Sequence, residues 1–305
     1  YDNLNLKNTK GNLALREEKA ILNNVSADLF GGKINLDGEV STANETPNFN
    51  VNLGLNTIQI VEAFEQMELI KGLAPIAQAL KGVATTKINL SGDLTKDLMP
   101  VYQSLKGDAL AEIISANIQE EKMPLVSKLN GQMNFMSFDK LKVQDVVAKL
   151  NFDGGAINAD NFDFKLDDIQ VDVSGSHSFS NEMNYNLKFN IPAKYFGDKV
   201  GGKLAELSNT DLNKMNVNLP VNLSGTFSNP KIQMNMQNAV QSLSQQIIEA
   251  QKDKATDKVK DKVGEEIDKL LGKDDKDENN DDSKSDEDEV KDKVKDVLGG
   301  LLKKD

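Results

Sequence analysis

Met183-Asn184-Tyr185-Asn186-Leu187-Lys188-Phe189-Asn190-Ile191 alternates apolar and polar side chains without a break. Successive side chains of an extended chain point to opposite faces, so this stretch predicts a strand with one dry and one wet face. Met215, Val217, Leu219, Val221 and Leu223 repeat the pattern, with Asn216, Asn218, Pro220 and Asn222 between them. Pro220 cannot donate to a ladder, which predicts an edge position or a bulge for that strand. Shorter alternating runs lie at Phe49 to Leu55, Val146 to Phe152, Phe162 to Leu166 and Ile169 to Val173. Turn residues separate them at Gly31-Gly32, Asp37-Gly38, Asp153-Gly154-Gly155 and Asp167-Asp168, as antiparallel meanders require. Alternation alone fits the inside of a β-sandwich as well as an open groove.

Helical spacing interrupts the strands. Ile60, Val61, Phe64, Met67 and Ile70 share one helical face, and Ile76 to Leu80 follow Pro75 as a second short helix. Leu94, Leu98, Val101 and Leu105, closed by Gly107, predict another, and residues 110–130 are expected to be mostly helical. The predicted fold class is therefore β-dominated α+β: one large antiparallel, curved sheet over residues 1–235 with a few short helices. Residues 236–271, with Val240, Leu243, Ile247, Val259, Val263, Ile267 and Leu270 at helical spacing, predict an amphipathic helix. Residues 272–289 carry ten Asp and Glu against three Lys, which predicts an acidic disordered linker. Residues 290–305 predict a short amphipathic helix, whose Val-Lys-Asp-Lys-Val start weakly repeats the segment ending at Val263.

Composition removes whole classes of chemistry. There is no Cys among the 305 residues, hence no disulfide, thiolate nucleophile or Cys-ligated metal. A single His and a single Arg, Arg16, leave little for His metal sites, Ser/His triads or bidentate phosphate recognition. The formal charge of −12 argues against nucleic acid as a partner. No run approaches the roughly 18 apolar residues that a spanning helix needs. The start at Tyr1, without a charged and then apolar leader, predicts a piece of a longer protein whose membrane anchor lies upstream. His177, flanked by Ser176 and Ser178, is expected in a turn between strands, with no partner for catalysis. Asp160, Asp163, Asp167 and Asp168 lack calcium-loop spacing, and Asn280 stands where the Asp275, Asp277, Asp281 register needs a turn Gly. The Gly pairs lack the phosphate-loop pattern. No cofactor and no enzymatic activity are expected.

Three phrases, in this order, resemble the C-terminal region of the AsmA family of envelope proteins. They are Val25-Ser26-Ala27-Asp28-Leu29-Phe30-Gly31-Gly32-Lys33-Ile34-Asn35-Leu36-Asp37-Gly38, the block Gly82 to Gly92 followed by Leu94 to Gly107, and Leu223-Ser224-Gly225-Thr226-Phe227-Ser228-Asn229-Pro230-Lys231-Ile232. The long acidic tail is not part of the family pattern. The resemblance implies a periplasmic β-rich protein tethered to the inner membrane, with a role in outer-membrane biogenesis and a groove for phospholipid acyl chains. On that implication the candidate lipid-facing residues are Phe162, Phe164, Val171, Val173, Met183, Tyr185, Leu187, Phe189, Ile191, Met215, Val217, Leu219, Val221 and Leu223. An envelope protein partner is expected through the C-terminal helices. The competing expectation is a structural or regulatory module that assists outer-membrane protein assembly and never holds lipid.

Overall fold

The computed structural model describes residues 4–133, 135–196 and 215–235, together with Ala239 and Gln246. Among these residues twelve strands follow in chain order: β1 (Lys7–Arg16), β2 (Lys19–Leu29), β3 (Gly32–Ser41), β4 (Asn48–Gln59), β5 (Leu80–Asp93), β6 (Lys106–Ile118), β7 (Lys142–Asp153), β8 (Ala156–Leu166), β9 (Ile169–Ser178), β10 (Glu182–Pro192), β11 (Asn216–Thr226) and β12 (Pro230–Met234). They form one open antiparallel sheet in which every strand lies beside its neighbours in sequence. At the β2–β3 and β7–β8 connections the turn residues explain the order, because two-residue loops with positive φ return the chain directly alongside itself. Phe30 and Gly31 sit at φ 51° and 74°, and Gly154 and Gly155 at 57° and 82°.

The chain divides into two compact units: Tyr1–Asn130, Phe138–Leu187 and Asn222–Ile232 form one, and Gly131–Ser137, Lys188–Val221 and Gln233–Asp305 the other. In the first, the registers collect apolar side chains on one face. Leu36 pairs with Leu53, Leu53 with Ile88, Ile88 with Ala109, Ala109 with Leu150 and Leu150 with Ala159. One residue along, the opposite face carries Asp37, Asn52, Asn89, Asp108, Asn151, Asn158 and Ser176, each paired with the next across seven strands. Since side chains alternate, a sheet with such registers has a dry and a wet side. Register shifts between Leu22 and Val25, Leu55 and Ile58, Gly82 and Thr85, and Ala159 and Phe162 mark bulges, which bend the strands they interrupt.

Connections supply what covers the dry face. Between β4 and β5 the chain forms α1 (Ile60–Gln66), α2 (Glu68–Leu73) and a 3-10 turn at Pro75–Ala79. Leu73 joins a core of Phe49, Ile88, Leu90, Leu94, Leu105, Ala109, Phe152 and Ile157, while Ala63 joins Leu29, Phe30, Leu55 and Ile58. A third helix, α3 (Pro124–Gln132), buries Leu125, Val126 and Leu129, and Lys128 Nζ donates to the Pro230 carbonyl at 2.8 Å.

The helices expected at 58–81 are present, but the expectation for 94–130 is corrected. Leu94 makes an isolated bridge to Pro100, Tyr102–Ser104 is a 3-10 turn, and Lys106–Ile118 is a 13-residue strand. The Ala-rich run Ala109-Leu110-Ala111-Glu112 has good helix formers, yet pairing with β5 on one side and β7 on the other overrides that preference. Between it and residue 130 the helical segments are Glu120–Lys122 and α3.

In the second unit the ends of β10 and β11 keep the alternation, with Phe189, Ile191, Val217, Leu219 and Val221 buried. Asn190 Nδ2 donates to Asn218 Oδ1 at 3.3 Å, and the Ala193 amide to the Met215 carbonyl at 2.9 Å. The sheet order puts β11 between β10 and the five-residue β12, so the edge position expected from Pro220 is not this strand's place in the sheet. Of the segment 236–271 only Ala239 and Gln246 are described, both helical. The expectations for 272–289 and 290–305 fall outside the described residues.

Candidate functional site: a partly covered apolar floor

The dry face is not buried evenly. Toward one end Leu90, Phe152 and Ile157 are sealed by Leu73 of α2 and by Leu94 and Leu105 of the β5–β6 connection. Along the middle of β6 to β8, Ala111, Ile113, Val146, Leu150, Ala159, Phe162 and Phe164 stay half-buried. Ile113 pairs with Val146 and Ala111 with Ala148, while Phe162 and Phe164 pair with Val173 and Val171 on β9. The two Phe rings lie 6.4 Å apart at 30°. These side chains have no polar atoms beyond the backbone, so the floor offers dispersion and the hydrophobic effect and nothing to select a charged group.

A polar clasp ties the covering helix to the sheet. His177 lies within β9, 6% exposed, which corrects its expected place in a turn. Its Nε2 is 3.3 Å from the Gly72 carbonyl at the end of α2, and its Nδ1 is 2.8 Å from Tyr185 Oη. A carbonyl only accepts, so Nε2 carries the proton and donates, and in the neutral ring the Tyr185 hydroxyl donates to Nδ1. Burial lowers the His177 pKa below its ordinary 6.5, opposed by hydrogen bonding to the Gly72 and Leu73 backbone. Burial likewise pushes the Tyr185 hydroxyl up to about 12. The Phe227 ring meets the imidazole edge-on at 5.4 Å. Gly72 is required here, since a Cβ on it would stand 2.8 Å from the Phe179 ring, which stacks on Tyr102 at 4.6 Å. The clasp holds a helix over an apolar surface, with both imidazole nitrogens engaged by the Gly72 carbonyl and the Tyr185 hydroxyl.

Of the lipid-facing candidates, Phe162, Phe164, Tyr185 and Leu187 are half-buried. Val171, Val173, Met183 and Leu223 in the first unit, and Phe189, Ile191, Met215, Val217, Leu219 and Val221 in the second, are buried by the chain itself. Alternation picks the dry side but carries no record of what folds over it. The lipid-facing candidates do not include Ile113, because the helix expected over 110–130 hides its place on a strand, nor Val146, whose alternation marks a strand but not what leaves it uncovered.

No group of three or more His, Asp or Glu that could hold a metal occurs among the described residues. Asp160 accepts from Asn151 Nδ2 at 2.8 Å and Asp167 from the Lys142 amide at 3.2 Å, which is turn and wet-face chemistry. No helix among the described residues is long and apolar enough to cross a membrane. Comparison with family profiles, with curated proteins and with solved structures finds no match to the chain.

Proposed function

We propose that this is a non-enzymatic, lipid-handling protein of the periplasm, tethered to the inner membrane in its full-length form and akin to the AsmA family. Its floor of Ile113, Val146, Leu150, Phe162 and Phe164 holds phospholipid acyl chains on their way between inner and outer membrane. The observation that carries the reading is this floor, apolar, half-buried and without a charged side chain on its face. Each Å² removed from water there contributes about 25 cal/mol, so a few methylenes already give useful affinity, and the absence of a charged clamp lets a lipid move on. The three phrases that resemble the family add the choice of ligand and compartment.

The test is native mass spectrometry of the purified chain beside thermal unfolding. Phe164→Asp and Ile113→Asp place a charge on the floor, and Asn158→Asp places the same charge on the wet face. Co-purifying phospholipid that disappears in the two floor variants, with cooperative unfolding kept, is the expected result. Lipid equally abundant in all three, or none in the wild type, would reject the floor and favour the module that assists assembly without lipid.

A further inference from the structure

The connection between β5 and β6 turns through Lys96-Asp97-Leu98. The Leu98 amide donates to the Thr95 carbonyl at 2.9 Å, the Thr95 amide to the Met99 carbonyl at 2.8 Å, and Leu98 lies at φ 60°. This is a three-residue hairpin loop, whose last residue is left-handed and ordinarily Gly or Asn. Leu98 fills that place with a branched aliphatic side chain, which the left-handed region disfavours. One other large apolar residue among those described has a positive φ, Phe30 at 51°. Phe30 is 5% exposed and packs in the core with Leu29 and Leu55, so burial offsets its conformation. Leu98 stays 49% exposed, and Met99 beside it 53%, so burial offsets far less of the strain there.

The loop is tied to itself and to its stem. The Met99 amide donates to Thr95 Oγ1 at 3.1 Å and the Val101 amide to the Asp93 carbonyl at 3.0 Å, while Pro100 has no N–H. Every backbone donor from Leu98 to Val101 thus has a partner close by, and the apolar tip can leave water without stranding an N–H. At the base of the loop Leu94 and Leu105 are anchored in the core. The loop lies in the middle of the strand order, so further strands added at either edge of the sheet would not lie beside it.

We propose that Leu98 and Met99 form a docking tip that dips into the surface of a phospholipid bilayer. A protein partner needs about 800 Å² on each side, several times what two half-exposed side chains offer, whereas a bilayer supplies a continuous apolar phase to any tip that enters it. Both side chains are aliphatic, and the flexible thioether of Met99 suits disordered surroundings. Lys96 and Asp97 before them cancel in charge, so the tip gains nothing from an anionic surface, and zwitterionic lipid suffices. The contact is weak and reversible, as a single small tip makes it. This goes beyond the acyl-chain floor and does not depend on it: the floor holds one lipid, and the tip touches the membrane.

The test is flotation of the purified chain with phosphatidylcholine vesicles in large excess, at low and at high salt. The wild type should float with the vesicles equally at both. Leu98→Ser with Met99→Ser should lower the partition coefficient about tenfold or more. Ile114→Ser with Val147→Ser, which removes apolar side chains of similar or greater exposure from β6 and β7, should leave it unchanged. Leu98→Gly should weaken flotation several-fold with an equal or higher melting temperature, since Gly takes φ 60° without strain. A wild type that stays below the vesicles overturns the proposal and leaves the tip to a protein. Flotation that high salt abolishes, or that survives loss of both tip side chains, overturns it too, by placing the contact elsewhere.

Discussion

Phe152 and Val146 lie on one strand, six residues apart, and face the same side of the sheet, yet Phe152 is 3% exposed and Val146 half-buried. The strand does not make the difference, since both ends of β7 alternate and both pair with β6. Phe152 is met by Leu73 from α2 and by Leu94 and Leu105 from the β5–β6 connection. Val146 is met by Ile113 across the ladder, which belongs to the same floor. Side-chain period thus decides which face is dry, and the connections decide how much of it is closed. A sheet of uniform strands can carry a closed core and a half-buried apolar floor on one side.

The sharpest way to break this comparison is to put one charge at each place. Ile157→Asp, at a fully buried position, should cost more than about 4 kcal/mol and leave no cooperative unfolding transition, because the carboxylate has no partner there. Phe164→Asp should remain folded, with its melting temperature lowered only moderately. Equal loss of structure in the two would show that the floor is as closed as the core.

Truncation gives the next effect. Leu105→Ala empties a site with 0% exposure and should lower stability by about 2–5 kcal/mol in denaturant titration. Val146→Ala should cost about 1 kcal/mol, since part of its surface is already wet.

The clasp ranks third. His177→Ala leaves the Gly72 carbonyl and the Tyr185 hydroxyl without their partner and should cost about 1–3 kcal/mol, more than a turn residue would. Its titration gives a separate signature. The unfolded ring takes up a proton near 6.5, while the buried native ring does so only at lower pH. Between the two values the unfolded state binds more protons, so stability is full above 6.5 and falls as pH drops below it. In His177→Gln this part of the acid dependence should vanish from the melting curve.

The smallest effect is expected on the wet side. Lys165 Nζ and Asp145 Oδ2 pair at 3.1 Å, with side chains 53% and 61% exposed. Lys165→Met should change stability by no more than about 0.5 kcal/mol, and salt should erase the difference.

The strands β7 to β11 were legible because each alternates for at least five residues and ends at a turn signal. β6 was not, because Ala109, Leu110, Ala111 and Glu112 carry helix-forming side chains, and the pairing that holds them extended comes from β5 and β7, outside the local window. The dry side was legible, but its cover was not: α2 reaches His177 over 105 residues of sequence, a relation that no local pattern encodes. His177 itself sits between two serines in a stretch that looks like a turn, and only the neighbouring strand β10, with Tyr185, shows it to be interior.

The strand order follows the chain from first to last. A sheet laid down in that way pairs each strand with the one before it, across two residues at Phe30-Gly31 and Gly154-Gly155 and across the helical connection between β4 and β5, so each new strand can condense on a finished edge and no pairing skips over an intervening strand. The same rule governs how such a molecule changes length. Inserting or deleting one hairpin moves the edge by two strand spacings, about 10 Å, and leaves every other pairing and the direction of every side chain as it was.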